Sequence, residues 1–315
     1  MKNYLKKLPF FKECFQYSVP LFQCPSFLFL ILGILNIAAM LSTYFIATRF
    51  SDEPEVSALI TISVSLVIFV IGSVVVNSFD KLAQANKMKT EFVRIASHQL
   101  RSPLTSLRWA VDQLMEGVVG RPTEEQIEYL KIISESNQRM LKLINDLLDV
   151  SKIEMGSFMF KFEPVDLEKV AKEVIEGLAP FAKANNILLN LVFDPQLPPV
   201  HSDQERIRMV FSNLIDNAIK YNLGKGQVDV GAKLKDKNIQ VFVKDNGVGI
   251  PKEQQKNIFQ KFFRSDNAMK HQTIGTGLGL FIVKAIVEAN KGKIWFESEE
   301  NKGTTFLFEI PIAKK

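Results

Sequence analysis

Two stretches without a single charged residue, 26–48 and 57–79, constrain this chain more than any other feature. Each is 23 residues long. A helix of that length rises about 35 Å, enough to cross a hydrocarbon core ~30 Å thick. A signal peptide has a shorter apolar region and normally ends at a small-residue cleavage site. A buried strand or core helix explains one such stretch more easily than two, so the pattern predicts two membrane-spanning helices. Lys2, Lys6, Lys7 and Lys12 precede the first stretch, and Lys81, Lys87, Lys89 and Arg94 follow the second. The segment between them sets Arg49 alone against Asp52, Glu53 and Glu55. The positive-inside rule then places the chain in the cell membrane as a two-pass protein with both termini cytoplasmic. The outer connection of under ten residues is too short to fold around a ligand. A signal would have to act within the bilayer, on the cytoplasmic side, or through a partner.

Beyond residue 79 the composition turns to mixed charged and apolar, and no Pro or Gly occurs until Pro103. Leu100, Leu104, Leu107, Val111 and Leu114 follow heptad spacing. The run GVVGRP (117–122) breaks that seam, and Thr123 with Gln126 reads as a capping box opening a second helix. There Ile127, Leu130, Ser134, Asn137, Leu141, Ile144 and Leu148 continue the alternation until Gly156. Two helices with one apolar stripe each make a hairpin that buries too little alone, so pairing into a four-helix bundle, and hence a homodimer, is expected. The formal net charge of +5 is mild for 315 residues and gives no indication of a nucleic-acid partner. Cys14 and Cys24 lack metal-ligand spacing, which argues against a zinc site and a disulfide framework.

Residues 158–315 alternate between strand-like and helical patterns. Long helices are predicted near 167–184 and 204–221, and strands at 187–193, 228–234, 239–245, 293–298 and 304–310. Helices segregated from mostly antiparallel strands imply an α/β sandwich. Neither GxGxxG nor a P-loop occurs, so the usual phosphate cradles are absent from the sequence. Three other motifs stand in their place. In NLIDNAIKY, Asn213, Asn217 and Lys220 share a helical face with Tyr221 beside them, while Ile207, Phe211, Leu214 and Ala218 form an inward face. In DNGVGI (245–250), Asp245 ends an apolar strand and Gly247 and Gly249 permit a tight turn. In GTGLGL (275–280), Gly275, Gly277 and Gly279 precede an apolar helix, where backbone donors and a helix N-terminus suit phosphate. Each has an ordinary alternative: a solvated helix face, a frequent Asp-Asn-Gly turn, or a loop-to-helix junction.

Together with SHQLRSPLT (97–105), in this order and spacing, these motifs resemble the membrane-bound sensor histidine kinases of two-component signalling. The resemblance is strong over about residues 88–315 and holds only in plan before that. It implies a multidomain chain: a membrane region (1–79), a dimeric helical hairpin carrying the phosphoacceptor (80–157), and an ATP-binding α/β sandwich (158–315). That last fold is shared with type II topoisomerases, Hsp90 chaperones and MutL proteins. The implied reaction is phosphorylation of His98 by ATP with Mg²⁺, then transfer to an aspartate of a separate response regulator. Asn217 matches the family's metal-binding position with Asn213 nearby, and an amide oxygen is a suitable hard ligand for Mg²⁺. Lys220 offers a point charge to the phosphates, and Asp245 would accept a hydrogen bond from the adenine amino group. Residues 258–274 resemble the family's Phe-containing box and lid. Phe262 and Phe263 would anchor the lid, Lys261 and Arg264 would reach the γ-phosphate, and His271 would be a solvated lid residue. Thr304 is placed near the adenine.

The chain departs from its family twice at the phosphoacceptor. Where the family usually has Glu or Asp after the histidine, this chain has Gln99, whose carbonyl accepts a hydrogen bond but takes up no proton. Where the family has Thr or Asn four residues on, it has Ser102, which keeps a hydroxyl for placing water. Autokinase activity is expected to persist; phosphatase activity is less firmly implied. Two alternatives stay open: a nucleotide-binding pseudokinase scaffold, and an ATPase of the same fold without kinase activity.

Overall fold

The computed structural model describes residues 24–50, 52–222, 224–265 and 275–312. Lys2, Lys6, Lys7, Lys12, Cys14 and the lid residue His271 lie outside the described residues. The chain divides into two compact units, residues 1–99 with 154–157, and residues 100–153 with 158–315.

The first unit holds α1 (Pro25–Phe50) and the greater part of α2 (Pro54–Met115). Each begins on a proline, whose fixed φ and missing N–H suit a first helical position. Both are long and apolar enough to cross a membrane. Their apolar side chains, among them Leu35, Phe45, Leu59 and Phe69, point outward, the arrangement a lipid solvent favours and water does not. Some of the few polar groups are satisfied internally: Thr61 donates to the Ser57 carbonyl at 2.8 Å, and Ser65 donates to Asn36 Oδ1 at 3.2 Å. Cys24 is disulfide-bonded, which corrects the expectation of no crosslink in this region. From Pro54 the backbone of α2 stays helical through His98 without a break.

In the second unit, the last turns of α2 and the helix α3 (Glu124–Glu154) form the hairpin. Pro103 lies inside α2 without ending it. The capping box forms in full: Thr123 N donates to Gln126 Oε1 at 2.8 Å, and Gln126 N donates to Thr123 Oγ1 at 3.3 Å. Asn137, buried in the seam, donates to the Leu104 carbonyl at 2.9 Å and Arg101 donates to Asn145 at 2.7 Å, so polar contacts fix the register between the helices.

The remainder is an α/β sandwich. Strands β1 (Glu163–Val165) and β3 (Val200–Ser202) form a two-stranded antiparallel ribbon. A five-stranded sheet runs in the order β2 (Ile187–Phe193), β4 (Gly226–Lys235), β5 (Asn238–Asp245), β7 (Gly303–Pro311) and β6 (Lys293–Glu299). Only the β2–β4 pairing is parallel. Helices α4 (Leu167–Ala184), α5 (Gln204–Lys220) and α6 (Gly279–Ala289) pack on the sheet, with α5 touching both of the others. Asp166 and Asp203 cap α4 and α5, each accepting a backbone N–H at 3.1 Å. Ile207, Phe211, Leu214 and Ala218 are buried as one face of α5, and Phe211 meets Phe308 of β7 edge to face at 6.0 Å. Along β5 the inward row is Ile239, Val241 and Val243, and period-two alternation makes Asp245 its next member.

Candidate functional site

That alternation places a carboxyl group at the inner end of a strand. Asp245 is buried, and its Oδ1 accepts from Gly247 N at 2.9 Å and from Thr304 N at 3.1 Å. Burial pushes its carboxyl up to about 6, while those two hydrogen bonds pull the other way. Ser298 braces the same corner: it accepts from Ile250 N at 2.9 Å, donates to the Gly303 carbonyl at 3.1 Å, and lies 2.8 Å from Thr304 Oγ1. No motif in the sequence singles out Ser298. The turn after Asp245 needs glycine on steric grounds. A Cβ at Gly247 would stand 2.2 Å from the Tyr221 carbonyl, which accepts from Val248 N at 3.0 Å.

From this corner an open cleft runs between α5 and the Gly-rich loop before α6. Its walls include Asn213, Asn217, Lys220, Tyr221, Asp245, Gly249, Arg264, Gly275, Gly277, Gly279 and Thr304, so residues of four separate motifs converge on one place. Gly277 adopts φ +67°, and a Cβ there would lie 2.7 Å from the Phe262 backbone. A side chain at Gly279 would meet Asn213 Oδ1 at 2.7 Å, so the loop comes close to α5 only because both residues are glycine. Asn213 spends its amide N–H on the Met209 carbonyl at 2.9 Å, leaving its oxygen turned toward the loop. Burial raises the Tyr221 phenol, an effect opposed by the neighbouring Arg264. Lys220 donates to Asp216 Oδ2 at 2.7 Å.

Some predicted site residues stand elsewhere. Phe262 takes φ +61° and is 65 % exposed; Phe263, not Phe262, lines the cleft. The Lys261 ammonium sits over the Phe281 ring, 5.3 Å from its centroid, and is not among the cleft-lining groups. Other lining residues were not singled out from the sequence: Arg139, Lys142 and Asp146 of α3, which lie outside the motifs, and Asp216 and Thr276, which lie within NLIDNAIKY and GTGLGL. In the other unit, His98 and Gln99 are exposed on α2, next to the buried Ser97; Ser102, also exposed, falls in the second unit.

Oxygen donors that could hold a divalent cation come from amides here. Among the described residues no group of three or more His, Cys, Asp or Glu side chains is arranged for metal binding. Asn213 turns a neutral oxygen toward the loop and Asn217 lines the same cleft, a donor set that fits Mg²⁺ held mainly by water and phosphate.

Residues 88–156 match the model of the His Kinase A (phospho-acceptor) domain, and residues 202–314 that of the histidine kinase-, DNA gyrase B-, and HSP90-like ATPase. The chain is 36 % identical over 233 residues to the circadian input-output histidine kinase CikA of Synechococcus elongatus, covering 73 % of this chain and 31 % of that protein. It is 33 % identical over 246 residues to the sensor protein kinase WalK of Staphylococcus aureus, covering 77 % of this chain and 59 % of WalK. It thus spans less than two thirds of either relative's length. Full-length ShkA solved in complex with AMPPNP superposes with a TM-score of 0.60 at 29 % identity, over 71 % of this chain and 46 % of ShkA.

Proposed function

Because the chain belongs to the sensor histidine kinases of two-component signalling, we propose that it binds ATP in the cleft between α5 and α6, phosphorylates its own His98, and passes the phosphoryl group to an aspartate of a separate response regulator. The observation that carries the reading is the convergence of Asp245, Thr304, Asn217, Lys220 and the Gly-rich loop on one cleft. The Asp245 end, rigid and buried, suits an adenine ring, with the carboxylate accepting from its amino group. The loop end offers backbone donors and the α6 N-terminus to the phosphates.

In the proposed reaction an imidazole nitrogen of His98 forms a bond to the γ-phosphorus as the bond to the ADP oxygen breaks. The proton on the other ring nitrogen is held by a hydrogen-bond acceptor, a role Gln99 fills through its carbonyl, and is lost to solvent on return to neutrality. Bound Mg²⁺ would neutralise charge on the phosphates. Asn217, with Asn213, is the group that would hold it, and Lys220 would add a point charge. Catalysis of this kind is mostly positioning and charge stabilisation.

Three further parts belong to the proposal. The chain crosses the cell membrane twice with both termini in the cytoplasm, a reading supported by α1, α2 and the basic residues that flank them. It is a homodimer through the hairpin, since Leu100, Leu107, Trp109, Leu114, Ile132 and Met140 are apolar yet exposed on the single chain. Its functional divisions fall at 1–79, 80–157 and 158–315. Asn217→Ala is expected to lose Mg²⁺-dependent ATP binding and autophosphorylation while the dimer persists, as measured by calorimetry and light scattering. Near-normal turnover in that variant would assign the metal role to another residue.

A further inference from the structure

One wall of the cleft comes from outside the nucleotide motifs. Arg139, Lys142 and Asp146 lie on one face of α3 and line the cleft with α5 and the Gly-rich loop. Two of them make direct contacts across it. Lys142 Nζ lies 3.2 Å from Asp216 Oδ2, the oxygen that also accepts from Lys220 at 2.7 Å. Asp146, one turn further along α3, accepts from Thr276 Oγ1 of the Gly-rich loop at 3.3 Å. The α3 wall therefore borders the loop end of the cleft, away from the Asp245 and Thr304 corner.

The charges at that end do not balance. One carboxylate oxygen is shared by two ammonium groups, those of Lys142 and Lys220. Among the described residues lining that end the other acid is Asp146, whose buried carboxyl is pushed toward its neutral form by desolvation. The Lys142 side chain is 48 % exposed, so its ammonium is free to turn from Asp216 to an incoming anion. A polyphosphate supplies the missing charge and accepts strongly from ammonium donors. We propose that Lys142 is a phosphate-binding residue of the nucleotide site, so that the hairpin supplies part of the grip on the polyphosphate; this rests on the nucleotide reading of the cleft. Nucleotide affinity then depends on α3 lying against the cleft, and nucleotide binding favours that arrangement in return.

The test uses the full-length protein in detergent and compares the binding of MgATP with that of adenosine, which lacks phosphate. Lys142→Gln is expected to weaken MgATP roughly five- to tenfold, the effect of one half-exposed charged hydrogen bond. It should leave adenosine unchanged, and Lys142→Arg should restore most of the MgATP affinity. Unchanged or tighter MgATP binding in Lys142→Gln would overturn the inference, as would equal weakening of MgATP and adenosine. A wild-type protein that binds neither would sink the nucleotide reading itself, and the inference with it.

Discussion

In Asp245 a carboxyl group occupies a place in an apolar strand row, and two consequences run in opposite directions with pH. Its folded-state value is raised from an ordinary 3.8 to about 6. The folded protein therefore holds this proton more tightly than the unfolded chain. The residue's contribution to stability is fully present below about pH 4 and is lost as pH rises toward about 6. In the proposed site nucleotide binding uses the ionised Asp245 as acceptor, so adenosine and ATP affinity should fall as pH is lowered through about 6. Asp245→Asn keeps one acceptor but turns an amide donor toward the adenine amino group. It should weaken binding at least about tenfold, flatten the pH dependence, and leave the melting temperature no lower because a buried charge is gone. Calorimetry from about pH 5 to about pH 8 checks all three; a steep pH dependence surviving in Asp245→Asn would move the titration to another group. Asp245 was legible in the sequence because it both ends a period-two row and opens DNGVGI. Phe262 and Phe263 were not distinguishable, since only the positive φ of Phe262 decides which ring faces the cleft. Lys142 and Asp146 were illegible for a different reason: their partners Asp216 and Thr276 lie 74 and 130 residues away.

Elements with several periods of pattern were readable, and very short ones were not. The seven-residue strand β2 and the helix α5 follow from alternation and from the 3.6-residue spacing of their buried faces. Strands β1 and β3 have three residues each, too few for any period to register, and the ribbon they form was not anticipated. The start of α3 was readable from two residues, because a capping box is a local device whose donors and acceptors lie three positions apart. Thr123→Ala removes the acceptor for Gln126 N at a free-standing helix start and should cost about 1 kcal/mol of stability. Denaturant melts of the full-length protein should show that loss in the hairpin transition with MgATP affinity little changed. No measurable destabilisation would mean that packing alone fixes where α3 begins. The unbroken helicity of α2 from Pro54 through His98 has a mechanical consequence. If α2 spans the membrane as proposed, rotation or tilt of the span reaches His98 without an intervening hinge.

For the molecule as a whole, the account joins a membrane anchor, a histidine-bearing hairpin and a nucleotide-binding sandwich. The anchor rests on composition and helix length, so its topology calls for direct measurement. A reporter fused after Ser51 should face outward and one after Asn86 the cytoplasm; both on the same side would overturn the two-pass reading. The sandwich fold was legible because its core alternations and helix faces are regular. In the proposed dimer a second chain covers the exposed apolar residues of the hairpin, a partner one sequence does not display. The central claim is that ATP phosphorylates His98, and it is tested most directly by incubating the full-length protein with γ-labelled ATP and following the label. The account predicts incorporation that is labile in acid and stable in base, as a phosphoramidate is, and that disappears in His98→Ala while ATP binding is retained. An acid-stable label, or undiminished labelling of His98→Ala, would contradict it.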